Sequence, residues 1–132
     1  MSVVDVGTKA AFGFGSDPVV IRHYTAGIKG GKVLNVDNYK QEFIRAGHVI
    51  IKNTTTGEYL PMPVNEAGDA YESLPENCVY VGVAVSTVPT AEPFVAIMYA
   101  GEVNDVASPY AVDSIKDAIV KAVPTLRFDH DE

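Results

Sequence analysis

Three apolar runs stand out against the polar background of this chain. Gly47-His48-Val49-Ile50-Ile51-Lys52 and Tyr80-Val81-Gly82-Val83-Ala84-Val85 are short and nearly continuous, and Phe94-Val95-Ala96-Ile97-Met98-Tyr99 leads directly into Ala100-Gly101-Glu102-Val103-Asn104. Short runs of this kind, rich in β-branched side chains and bounded by turn residues, predict buried strands. Asn53-Thr54-Thr55-Thr56-Gly57 supplies a polar turn with glycine placed for a positive φ. Glu58-Tyr59-Leu60 then resumes extended structure until Pro61 and Pro63 stop it, so residues 48–60 predict a hairpin. Val64 to Asn77 and Val88-Pro89-Thr90-Ala91-Glu92-Pro93 read as loops, and Gly101 marks a bulge or bend.

One helix is predicted, over residues 113–122. Asp113 or Ser114 can cap it, and Pro124 ends it because proline disfavours helical geometry at the preceding residue. Ile115, Ala118, Ile119 and Ala122 recur at helical spacing and define its apolar face. Thr125-Leu126-Arg127-Phe128 reads as a last strand, and Asp129-His130-Asp131-Glu132 as a solvated tail. The pattern as a whole predicts a mainly β chain with one short C-terminal helix.

The first forty residues have a different texture. They hold six of the 11 glycines, with short β-prone pieces such as Pro18-Val19-Val20-Ile21 and Lys32-Val33-Leu34 between them. Glycine costs backbone entropy to order, so residues 1–40 read as an extended arm that orders against a partner, and 41–132 as the β-rich domain. An exposed β-prone arm is suited to joining another chain's sheet edge.

Charge follows the same division. The formal net charge of −7 is made of +2 over residues 1–40 and −9 over 41–132. An acidic body argues against nucleic-acid binding, which needs a cationic surface, whereas a mildly basic arm suits docking onto a negative protein surface. No run approaches the roughly 18 apolar residues of a membrane span. The opening Met1-Ser2-Val3-Val4-Asp5-Val6-Gly7-Thr8-Lys9 has no signal-peptide pattern, and a single cysteine excludes an internal disulfide, which together fit assembly in a cytosol.

Candidate chemistry is sparse. The chain has no G-x-S-x-G elbow, and Phe12-Gly13-Phe14-Gly15-Ser16 lacks the Lys-Ser/Thr of a phosphate loop. His23, His48 and His130 are scattered, with no pair at metal-ligand spacing, and His48 reads as a strand-edge or turn side chain. Glu102 and Asp105 are the best paired carboxylates, yet three residues apart near a strand end they face different directions. Cys78 precedes a strand without a nearby basic partner and reads as a partly buried thiol. The seven tyrosines, spread along the chain, suit an interface better than a stacking platform for bases. No catalytic residue, cofactor or metal is expected.

The order of elements resembles a known family. Ala46-Gly47-His48-Val49-Ile50 followed by Thr56-Gly57-Glu58-Tyr59-Leu60-Pro61 is similar to the opening hairpin of the lambda-type bacteriophage head decoration, or auxiliary capsid, proteins. Tyr80 to Val85 resembles that family's central strand, and Val95-Ala96-Ile97-Met98-Tyr99-Ala100-Gly101-Glu102-Val103-Asn104 its V-x-V…G-x-V-N signature. The helix and Leu126-Arg127-Phe128 resemble its closing element.

The resemblance implies a β-tulip-like barrel or sandwich and a non-enzymatic virion protein on the outer capsid surface. It implies trimers, and an arm that adds strands to the major capsid protein. Val19, Val20, Ile21, Tyr24, Val33 and Leu34 are then the capsid-contact candidates. A head-fibre anchor remains an alternative, as does a receptor- or glycan-binding module with a shallow aromatic surface at Tyr59 and Tyr71. A small enzyme using Glu102 or Asp105 in a pocket is a third.

Overall fold

A computed structural model describes residues 17–129. The chain is mainly β with one short C-terminal helix. A single helical turn, α1 (Asp17–Val20), leads into β1 (Ile21–Gly27) and β2 (Lys32–Val33). Then come β3 (Phe43–Ile44), β4 (Val49–Asn53), β5 (Tyr59–Pro61) and β6 (Cys78–Ala84). β7 (Val88–Pro89), β8 (Phe94–Val95) and β9 (Ile97–Asn104) precede helix α2 (Lys116–Ala122) and the last strand, β10 (Leu126–Asp129). The main sheet has the order β1-β9-β6-β4-β5, with β10 also alongside β9. All its pairs are antiparallel except β10 with β9. Two small ladders, β2 with β8 and β3 with β7, complete the strand pairing.

The continuous apolar runs arise because this sheet is covered on both faces. Neighbouring residues of a strand point to opposite sides. In β4, Val49 and Ile51 join a large cluster with Met62, Tyr80, Ile119 and Leu126, while Ile50 joins a smaller one with Leu34, Ile44 and Val95. Val83 and Ala84 divide in the same way, as do Met98 and Ile97. A strand buried on both sides has no polar alternation to show.

The predicted hairpin is present. The Asn53 side-chain oxygen accepts the Thr55 and Thr56 amides at 2.8 and 3.1 Å, and Gly57 takes φ of 80°. Pro61 closes β5 rather than ending the chain's extension before it; β5 is terminal in the sheet order, so the missing amide hydrogen costs no ladder bond on that side. The third predicted run is split at Ala96: Phe94–Val95 pairs with β2, and Ile97 onward joins the main sheet. Gly101 has φ of 147° and lies in the irregular β1–β9 ladder, where a Cβ would run into the His23 carbonyl oxygen.

Three expectations are corrected. The helix starts at Lys116, and Ile115 caps it without a side-chain bond; within it Ile119 is the buried residue, flanked by the buried cap residues Ile115 and Val123, with Ala118 and Ala122 exposed. The longer side chains reach the core, so the helix turns them inward and the alanines outward. Asp129 belongs to β10 and bonds Arg22 of β1 at 2.6 Å, while His130, Asp131 and Glu132 lie outside the described residues.

The largest correction concerns the arm. Residues 1–16 lie outside the described residues, but β1 pairs with β9 of its own chain, and Val20 and Leu34 are core residues. Ladder bonds and apolar burial offset the ordering entropy that the glycines raise.

Candidate functional site

The capsid-contact candidates divide. Val20 and Leu34 are buried at 4% and 3% exposure and Ile21 is half-buried, so these three are committed to the protein's own packing. Val19, Tyr24 and Val33 are exposed. Two of these lie on one ribbon. β2 continues β1 and β8 precedes β9, and the Ile28 amide donates to the Ile97 carbonyl at 2.8 Å where the two ladders meet. Val33 and Phe94 are direct cross-strand partners and are 67% and 57% exposed, so their side chains stand beside one another on the solvent face. Gly31 lets the Phe94 ring lie close, since a Cβ there would be 3.3 Å from its Cζ. Further along, Tyr24 and Tyr99 are also exposed. Tyr99 opposes the step between Ala26 and Gly27, the same glycine whose Cβ position is 2.7 Å from the Tyr24 hydroxyl. Phe94 and Tyr99 were not among the candidates; their place opposite β2 and β1 is a matter of register, which the sequence does not print.

The paired carboxylates do not converge. Glu102 approaches Arg22 and Arg127 at 3.8 and 3.9 Å, while Asp105 bonds Lys116 at 3.1 Å. Glu102 and Arg127 are register partners on β9 and β10, so this cluster ties three strands together at the surface. Neither carboxylate lines the cleft that follows. Among the described residues no group of three His, Cys, Asp or Glu side chains could hold a metal ion.

A cleft of about 850 Å³ runs between the 35–41 segment and the 63–66 and 72–78 loops. Its floor includes Ile51 and Leu60, and its rim carries Asn35, Asn65, Glu66 and Glu76. Half-buried Cys78 lies at one side. The aromatic surface expected from Tyr59 and Tyr71 does not form. Tyr71 is buried, and Tyr59 lies under the ammonium groups of Lys32 and Lys52, 5.4 and 5.5 Å from its ring centre.

His48 stands at the strand edge that the sequence reading assigns it, just before β4, and is wholly buried there. Three tyrosines from three separate loops meet it edge-on: Tyr39, Tyr71 and Tyr110, each with ring centres 5.4 Å away. Its Nε2 is 2.9 Å from the Met62 carbonyl oxygen and therefore carries the proton. Among the described residues its Nδ1 has no partner. Burial pushes the imidazole pKa down to about 4, against a smaller opposing effect of the Met62 bond. Burial likewise pushes the Tyr39 and Tyr71 hydroxyls well above the usual phenol range. Tyr71 accepts the Val49 amide at 3.1 Å, and Tyr39 donates to the Phe43 carbonyl at 2.9 Å. No periodicity announces this cage, because its members come from loops.

Comparison with protein-family models, with curated proteins and with solved structures finds no match to this chain.

Proposed function

We infer that this protein is a structural component of a phage virion. It binds the outer capsid surface and bridges neighbouring major capsid protein subunits, with self-association as a trimer. The virion context comes from the family resemblance of the hairpin, the central strands and the closing element. The observation that carries the docking role is the exposed Val33–Phe94 pair, continued along the same ribbon by Tyr24 and Tyr99. Large apolar and aromatic side chains held side by side on a rigid ladder are typical of protein interfaces. Lys29 and Lys32 on or beside this ribbon favour an acidic receiving surface.

Co-sedimentation with phage heads assembled without the protein tests the reading. The unaltered protein is expected to pellet with heads, and Val33→Asp with Phe94→Asp to weaken binding at least tenfold, since charges replace the centre of the contact. A folded double variant that binds as well as the original, or an original that stays in the supernatant, would overturn it.

A further inference from the structure

We propose that His48 is an acid-sensitive latch: neutral, it holds the loops of Tyr39, Tyr71 and Tyr110 closed against the sheet, and on protonation it releases them while the sheet stays folded. The inference does not depend on the docking role. It starts from where His48 stands. One side chain, fully buried at the foot of β4, is the common contact of three loops, two of which are also joined by the Ala111 amide donating to the Asp69 carbonyl at 3.3 Å. Tyr71 and Tyr110 also meet each other, with ring centres 5.5 Å apart. The loops carrying Tyr39 and Tyr71 border the 850 Å³ cleft, so release of the latch would alter that cleft.

The cage is selective for the neutral ring. The Nε2 hydrogen has its acceptor in Met62, but a second proton on Nδ1 would find none. A buried N–H without an acceptor, carrying charge, is strongly disfavoured. The titratable groups facing the ring are the hydroxyls of Tyr39, Tyr71 and Tyr110; burial pushes those of Tyr39 and Tyr71 above the usual phenol range, so these two keep their protons throughout the acid range. On its own segment, Arg45 is exposed and acts on Tyr39, and among the described residues no carboxylate acts on the ring to offset a positive charge. An opened cage would let Nδ1 reach water.

The sign follows. The closed form holds its proton only below about pH 4, whereas an imidazole in water takes one near 6.5. Closure is therefore fully favoured above pH 6.5 and weakens as pH falls toward 4. Over that window the open-to-closed ratio rises about a hundredfold.

Amide hydrogen exchange on the full chain, corrected for the intrinsic effect of pH, reads this directly. The Val49 amide, bonded to the Tyr71 hydroxyl, and the Glu72 amide, bonded to the Pro63 carbonyl, report the latch. The central β6–β9 amides report the sheet. Between pH 7 and 4 the latch amides are expected to lose up to a hundredfold in protection while the central amides hold. His48→Gln keeps a donor for Met62 and cannot take the proton, so its latch amides should be indifferent to pH in this window.

Simultaneous loss at both sets, or no loss at either, would overturn the proposal, as would an unchanged acid response in a folded His48→Gln. If that variant does not fold, the comparison of the two amide sets in the unaltered protein decides.

Discussion

Gly82 sits in the middle of β6, the strand that joins the two halves of the main sheet, and its replacement by alanine has a sign that can be worked out. A glycine in ordinary extended backbone usually gains about 0.4–1 kcal/mol from Gly→Ala, because the unfolded chain loses freedom. Gly82 has no positive φ to oppose that gain. What opposes it is space. A Cβ at this position would collide with the Met98 carbonyl oxygen, and would lie 2.9 Å from the Met98 carbonyl carbon and 3.2 Å from Ile97 Cγ2. Two of those three atoms are backbone and cannot swing aside.

The strands must part where their pairing is shortest, since β6 and β9 are registered only at Val83 with Met98 and Ala84 with Ile97. Overpacking of this kind costs about 1–3 kcal/mol, and a weakened ladder bond adds about 1 kcal/mol. Gly82→Ala is therefore expected to be net destabilising by about 1–3 kcal/mol, a substantial part of the roughly 5–15 kcal/mol that holds a domain folded. Urea unfolding followed by far-ultraviolet circular dichroism measures it. A midpoint equal to or above that of the original protein would show that β9 does not approach β6 this closely.

Tyr71→Phe removes the hydroxyl that accepts the buried Val49 amide and should cost about 1–3 kcal/mol in the same assay; an unchanged midpoint would mean the amide finds another acceptor. Deleting residues 1–40 removes β1, β2 and the buried Val20 and Leu34, and is expected to leave a chain with no cooperative thermal transition. A truncated domain melting at the original temperature would return residues 17–40 to the status of an arm.

How much of this was legible turns on where each signal resides. Val49-Ile50-Ile51 and the run from Tyr80 announce buried strands in any context, because burial on both faces leaves only apolar positions. The turn at Asn53 to Gly57 is local chemistry, a side-chain acceptor followed by a glycine, and it too could be read directly. Residues 17–40 are hard to read for the opposite reason. Their glycines and scattered β-prone pieces are those of an arm, and nothing local distinguishes a strand that pairs with another chain from one that pairs with β9, some seventy residues further on. His48 carries the same lesson at the level of a site. Its surroundings are three tyrosines at 39, 71 and 110, brought together only after the sheet has fixed where their loops begin and end. Tyr39 and Tyr110 lie in segments with no apolar periodicity to mark them as inward-facing. Burial of a lone histidine is thus a consequence of topology, and the unpartnered Nδ1 that gives it an acid response is visible only in three dimensions. The docking pair Val33 and Phe94 stands between these cases: each residue is an ordinary surface apolar in the sequence, and it is the β2–β8 register that makes them neighbours.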